Sequence, residues 1–102
     1  MTSELPNMNN DELSFTALLK WLDADSKRAA VLYEGFRVKL VKFFVWRGCP
    51  RAEEYADLTL DKVAKKIARG EVIHAEDKFH FIHAVARNLL HDYFRTIESK
   101  II

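Results

Sequence analysis

Residues 79–95 read FHFIHAVARNLLHDYFR, and the spacing of their apolar side chains decides the fold class. Apolar side chains recur every three or four positions rather than every second one, which is the period of an α-helix with one buried face. The apolar stripe consists of Phe79, Ile82, Ala86, Leu89, Leu90, Tyr93 and Ile97. We therefore predict a long amphipathic helix from about Asp77 to Ser99.

The same period continues toward the N-terminus. It predicts three further helices, over residues 11–22, 26–47 and 50–69. Residues 1–10 are polar and are expected to form a flexible tail, which leaves residues 11–99 as one domain. Four amphipathic helices joined by short connections predict an all-α fold, a compact bundle of about four helices.

Capping residues indicate where these helices should begin and end. Asn10 is the expected N-cap of the first helix. Gly48 and Gly70 follow the second and third helices, where glycine accepts the left-handed backbone that ends a helix. Cys49 and Pro50 are then expected at the N-cap and first position of the third helix, because a proline there loses no hydrogen bond.

Composition limits the functional classes. The chain has 102 residues, of which 49% are hydrophobic and 30% charged, as expected for one globular domain. A formal net charge of +1 gives no indication of a nucleic-acid partner. A single cysteine excludes an internal disulfide and the usual multi-cysteine zinc sites. We see no signal-peptide pattern and no apolar run of membrane-spanning length, so we expect a cytoplasmic protein with no membrane partner.

The sequence contains no recognisable catalytic motif. A glycine-rich phosphate loop, an HExxH pair and a nucleophile elbow are all missing from it. His80, His83 and His91 could share one side of the last helix, but Asp77 is the only nearby additional ligand at helical spacing. Half-buried or solvated histidines are the more ordinary interpretation. We therefore expect no enzyme activity, no metal and no cofactor.

The polar side of the last helix carries a possible nucleic-acid signal. Arginine side chains can hold phosphates, an asparagine amide can read a base edge, and aromatic rings can stack on unpaired bases. The polar residues in question are Lys78, Arg87, Asn88, His91 and Arg95, with Phe81, Tyr93 and Phe94 interleaved. The pattern is compatible with single-stranded DNA, and also with an ordinary amphipathic helix whose polar side is solvated.

Three segments, in order, resemble region 2 of bacterial RNA polymerase sigma factors of the extracytoplasmic-function type. Residues 33–44, YEGFRVKLVKFF, resemble region 2.1, and residues 51–64, RAEEYADLTLDKVA, are similar to region 2.2. Residues 81–95 resemble the helix of regions 2.3 and 2.4, in which an aromatic residue precedes a Val-Ala-Arg-Asn run and later Asp and Arg residues. The resemblance covers most of the chain, from about Phe15 to Arg95, and implies a sigma region 2-like helical domain.

The resemblance implies two partners of a non-enzymatic transcription factor in the bacterial cytoplasm. Regions 2.1 and 2.2 dock on a coiled coil of the largest catalytic subunit of core RNA polymerase. The residues carried over to this surface are Arg37, Glu54, Asp57, Asp61 and Lys62. The last helix and the loop before it, residues 71–76, recognise and melt the −10 promoter element as single-stranded DNA. An anti-sigma factor is a further candidate partner.

Individual DNA roles follow from the same resemblance. Asn88 matches an asparagine near the pocket for a flipped base, Arg87 and Arg95 would contact phosphates or help melting, and Phe81 matches a frequent tryptophan at the duplex edge. Extruding a base costs a few kcal/mol, which stacking and amide hydrogen bonds can return. The candidate DNA-binding residues are Lys78, Phe81, Arg87, Asn88, His91 and Arg95.

Some positions depart from the family pattern. Leu58 stands where region 2.2 usually has a polar or acidic residue, and Asp57 replaces a common glutamine. No region 4, the reader of the −35 element, follows in the sequence. These departures keep a second hypothesis open, a sigma-like helical adaptor or regulator that binds only protein partners.

Overall fold

The computed structural model describes residues 9–73 and 77–101, with side chains described as far as residue 98. The helices are α1 (Asn10–Leu22), α2 (Ser26–Trp46), α3 (Ala52–Ala68) and α4 (Lys78–Ile101). No strand occurs within the described ranges, and the prediction of an all-α bundle of about four helices is confirmed. Residues 1–8 of the predicted tail and residues 74–76 of the predicted loop lie outside the described residues.

The start of α1 lies one residue earlier than predicted. Asn9, not Asn10, is the N-cap, and its side chain accepts a hydrogen bond of 2.8 Å from the backbone N–H of Glu12. The Glu12 carboxylate in turn accepts one of 3.1 Å from the backbone N–H of Asn9. This reciprocal pair satisfies two N–H groups that the first helical turn would otherwise leave without partners. Asn9 and Asn10, which the predicted tail includes, thus form the N-cap and the first residue of α1.

Both internal helix ends use the glycine that the sequence indicates. Gly48 has a φ of +82° and Gly70 a φ of +84°. At the end of α2 the N–H of Gly48 donates to the Val45 carbonyl at 3.0 Å, and the N–H of Cys49 to the Phe44 carbonyl at 2.9 Å. This pair of hydrogen bonds is the Schellman motif, and it recurs after α3 at Gly70.

The Schellman motif corrects the prediction for Cys49 and Pro50. Cys49 closes α2 instead of capping α3, and its side chain is buried. The N-cap of α3 is Arg51, which makes no capping hydrogen bond through its side chain. Pro50 lies in the turn between the helices. The third helix therefore begins two residues later than its proline suggests, after a turn at Pro50 and Arg51.

The core is built around α3, which contacts each of the other three helices. Ala56, Leu60 and Val63 form its buried stripe and are at most 1% exposed. The residues that meet this stripe from the other helices include Leu18 and Leu22 in α1, Leu40 and Phe44 in α2, and Ile82, Ala86 and Leu90 in α4. Because the inner side of each helix packs against the core, its opposite side is exposed to solvent.

Edge-on aromatic contacts run across the bundle from α2 to α4. The ring centroids of Phe44 and Tyr55 are 5.8 Å apart, and those of Tyr55 and Tyr93 are 5.4 Å apart. Such T-shaped pairs add roughly 0.5–1.5 kcal/mol each beyond the burial of their surface. They fix the position of α4 relative to α2 through a residue of the central helix.

We predict that Gly35→Ala stabilises the fold by about 0.5–1 kcal/mol, because glycine inside a helix loses more conformational freedom on folding than alanine. Gly35 lies within α2, and a Cβ built there meets no atom within 4 Å apart from the backbone of its own helix and its chain neighbours. Urea denaturation followed by circular dichroism measures the effect. Gly48→Ala is the matched control and should destabilise by about 1 kcal/mol, because φ is positive there. Stabilisation by both substitutions would contradict this account.

Candidate nucleic-acid and protein interfaces

Four of the six candidate DNA-binding residues lie together on the solvent side of α4. Arg87, Asn88, His91 and Arg95 are all exposed, and their helical spacing places them on the side away from the buried stripe. A guanidinium nitrogen of Arg95 lies 2.8 Å from the Asp92 carboxylate, one turn earlier on the same helix. We call Arg87, Asn88, His91 and Arg95 the α4 polar face.

The other two candidates, Lys78 and Phe81, lie at the junction of α1 and α4. The Lys78 ammonium donates to the Leu22 carbonyl at 3.3 Å and lies 5.6 Å from the ring centroid of Trp21. A lysine in this position compensates the partial negative charge at the end of α1. Phe81 is half-buried, with its ring 6.2 Å from that of Trp21. Phe81 shares the side of Asn88 two turns earlier, whereas Lys78 holds the two helices together.

A cationic and aromatic edge between α2 and α4 adjoins the α4 polar face. The ring centroids of Phe43 and His83 are 4.6 Å apart. The Lys39 ammonium lies 5.1 Å from the Phe79 centroid, and the Arg47 guanidinium lies 5.7 Å from that of Phe43. We call these five side chains the α2–α4 edge. Sequence reasoning considered only His83 among them, as a candidate metal ligand, although Lys39, Phe43 and Arg47 recur at four-residue steps.

The pKa of His83 is influenced by charges of both this edge and the α4 polar face. Burial lowers that pKa below its ordinary value, and the positive charges of Arg87, His80 and Arg47 lower it further. These charges come from both α4 and α2, so the two helices contribute to one positive field around the imidazole. A field of this kind favours an anionic ligand, which would relieve the repulsion.

On the other side of α2, an ion pair joins it to α3. The Arg37 guanidinium donates to both carboxylate oxygens of Asp57, at 2.7 and 3.3 Å. The hydrogen bond and the charge of Asp57 raise the pKa of Arg37. Burial raises the pKa of the neighbouring Tyr33 hydroxyl, and the charge of Asp57 adds to the effect. Two of the five residues carried over to polymerase docking are thus in direct contact.

The remaining carried-over residues lie on the exposed side of α3. The Glu54 carboxylate accepts a hydrogen bond of 2.8 Å from Arg51, which lowers the pKa of Glu54. Asp61 lies 3.0 Å from the Lys65 ammonium, and Lys62 is exposed next to it. We call Arg37, Glu54, Asp57, Asp61 and Lys62 the α2–α3 charged face. Leu58 lies among them and is 44% exposed.

Comparison with known proteins adds no relative. No protein-family model, curated protein or solved structure matches the chain. None of the helices in the described part of the chain combines the length and apolar character needed to cross a bilayer. Within that same part, no three His, Cys, Asp or Glu side chains come together as a metal-binding group.

We predict that acidification weakens the fold through His83. Its pKa is lowered in the folded state, so the unfolded chain binds a proton first as the pH falls below about 6.5. The free energy of unfolding should therefore decrease from that pH downward and level off below the folded-state pKa. Urea midpoints measured between about pH 5 and 8 should change less with pH in His83→Gln than in wild type.

His91→Gln is the matched control, since it removes an exposed histidine from the same helix. This variant should keep the pH dependence of the wild type. Curves of equal steepness for wild type and His83→Gln would show that His83 does not contribute to the pH dependence of stability.

Proposed function

We propose that this chain is a sigma-factor region 2 module that binds core RNA polymerase and melts the −10 promoter element. The observation that carries the proposal is the convergence of Arg87, Asn88, His91 and Arg95 on one exposed side of α4. Of these four, Arg87, Asn88 and Arg95 match positions of the sigma-factor motif in the same order. The activity is binding and strand separation, without a catalysed reaction, in the bacterial cytoplasm.

Phosphate binding is the first function that suits this surface. Guanidinium groups bind phosphate oxygens through two parallel hydrogen bonds, and Arg87 and Arg95 lie two turns apart on α4. Arg47 extends the positive surface onto α2, because its charge acts on the same imidazole as that of Arg87. A track of this kind supplies affinity for any sequence, and this affinity decreases as the salt concentration rises.

Reading an unpaired base requires groups that phosphate binding does not. The Asn88 amide can donate and accept hydrogen bonds at a base edge at once. Phe94 is exposed two turns after Arg87 on the same side of α4, and its ring can stack on a base. Phe81, two turns before Asn88, lies where the resemblance places the edge of the remaining duplex. These groups support selection of an extruded base over a paired one.

The α2–α3 charged face supports the polymerase-binding part of the proposal. It is formed by α2 and α3, whereas the α4 polar face belongs to α4. Both partners can therefore bind at the same time. Its carboxylates at Glu54, Asp57 and Asp61 suit a basic coiled-coil surface, while Arg37 holds Asp57 in a fixed orientation. An anti-sigma factor that covered either face would inhibit such a module.

The protein-only adaptor is the second candidate, and Leu58 is the observation that favours it. An exposed leucine on the α3 surface can be buried by an apolar partner surface, whereas the acidic residue usual in region 2.2 cannot. Such an adaptor needs no affinity for DNA. The two candidates therefore differ in whether single-stranded DNA binds at all.

We predict that the protein binds short single-stranded oligonucleotides carrying −10-like motifs with sequence selectivity, measured by fluorescence anisotropy at low and moderate salt. Asn88→Ala should reduce the preference for the best sequence by about 1–3 kcal/mol, because it removes a base-reading amide. Arg87→Ala should weaken all sequences alike and reduce the salt dependence by about one phosphate contact.

Arg28→Ala is the matched control, because it removes the same charge from the first turn of α2, outside the α4 polar face. This variant should bind as wild type does. If the folded wild type binds no oligonucleotide at low salt, the promoter-melting proposal is wrong and the adaptor becomes the better explanation.

We also predict that the purified coiled coil of the polymerase largest subunit binds the α2–α3 charged face. Glu54→Lys should weaken binding at least about tenfold by placing like charges together, and Leu58→Glu should strengthen it. Glu98→Lys, an equal charge reversal near the end of α4, is the control and should have no effect. Weaker binding by Leu58→Glu would instead indicate an apolar partner surface, as the adaptor requires. Isothermal titration calorimetry measures each affinity.

A further inference from the structure

The outer side of α2 carries an unusual row of exposed apolar residues. Val31, Val38 and Val45 are 72%, 48% and 62% exposed, and they lie on the side of the helix opposite its buried stripe. Successive members are seven residues apart, which keeps them on one line along the helix. Isolated exposed valines are common, but three in line at seven-residue steps repeat one of the two apolar positions by which helices pack in coiled coils.

Two opposite charges lie symmetrically within this row. Glu34 precedes Val38 by four residues and Lys42 follows it by four, and both are exposed. We call Val31, Glu34, Val38, Lys42 and Val45 the valine face. Its order is apolar, acidic, apolar, basic, apolar, so reversing the direction of the helix keeps the apolar positions and exchanges the charges.

We propose that two copies of this chain associate through the valine face, with their α2 helices antiparallel and a two-fold axis passing at Val38. In this arrangement Val38 meets Val38 of the second copy. Val31 lies level with Val45 of the second copy, because both are equally distant from Val38. Glu34 lies level with Lys42 of the second copy for the same reason, and the symmetry repeats that opposite-charge pair.

Trp46 supplies an independent observation for the same register. It is 82% exposed, and large aromatic residues with this exposure are typical of binding surfaces. A shallow, mainly apolar depression of about 380 Å³ lies at the other end of α2. Its lining residues are Asp23, Lys27, Arg28, Val31 and Leu32.

The proposed symmetry brings Trp46 and this depression together. Trp46 lies about 12 Å beyond Val38 along the helix, and the middle of the depression lies about as far before it. Trp46 and Arg28 are about five turns apart and therefore share one side of α2. Because the two-fold axis is perpendicular to the helices, this side of α2 faces the same direction in both copies. Each Trp46 ring then enters the depression of the other copy, beside the Arg28 guanidinium.

A second copy explains these features together, whereas an unrelated partner would require none of the symmetry. The charges, the valines and the pairing of an exposed ring with a depression are all matched about Val38. The surface is modest, since the exposed part of α2 is about 30 Å long. A contact below the standard size of about 800 Å² per partner is typical of weak, transient association, and we expect a dissociation constant on the order of 10–100 µM. The inference does not depend on the proposed function.

Sedimentation velocity from about 5 to 500 µM tests the proposal, and wild type should change from monomer to dimer across this range. Val38→Lys should raise the dissociation constant at least about tenfold, because it places two lysines together on the axis. Trp46→Ala should also weaken the dimer. Leu13→Lys, the same type of change at an exposed apolar residue of α1, is the control and should leave association unchanged.

A charge exchange tests the register itself. Glu34→Lys and Lys42→Glu should each weaken the dimer, because each places like charges level with one another, and the double variant should restore wild-type association. Circular dichroism confirms that the variants remain folded. A wild-type monomer at every concentration overturns the proposal, as does a dimer that Val38→Lys does not weaken. Failure of the double variant to restore association overturns the proposed register.

Discussion

The burial of one helix side in α3 is the constraint on which the rest of the structure depends. Ala56, Leu60 and Val63 are covered by three other helices at once, so each of those helices has one side committed to the centre. The burial of apolar surface, worth roughly 25 cal/mol per Å², sets these orientations. The side of α4 with Arg87 and Asn88 is exposed because Ile82, Ala86 and Leu90 occupy the opposite side.

Local signals explain why the helices could be predicted from the sequence. Periodicity located all four, and Gly48 and Gly70 ended two of them, because the positive φ needed there favours glycine in any context. The position of Cys49 could not be predicted in the same way. A residue between a glycine and a proline can serve either helix, and only the hydrogen bond to the Phe44 carbonyl shows which one it completes.

The candidate sites also differ in whether local sequence signals could predict them. The α4 polar face follows from the helical period, since all its residues belong to one helix. Lys78 is also a basic residue of α4 and was predicted to bind DNA in the same way. Its ammonium instead donates to the Leu22 carbonyl, because α1 ends beside the start of α4. The α2–α4 edge also depends on the meeting of two helices. Contacts such as that of Phe43 with His83 join residues about forty positions apart, and no local pattern in the sequence indicates them.

The ion pairs of the α2–α3 charged face have a consequence for how any partner would bind there. Asp57 already pairs with Arg37, Asp61 with Lys65, and Glu54 with Arg51. A basic partner would therefore exchange one cation for another instead of neutralising bare carboxylates. Exchange releases the displaced side chain to solvent and leaves little long-range attraction to accelerate encounter. Association at this face should accordingly be governed by the lifetime of the complex, which depends on fit, more than by the speed at which the partners find each other.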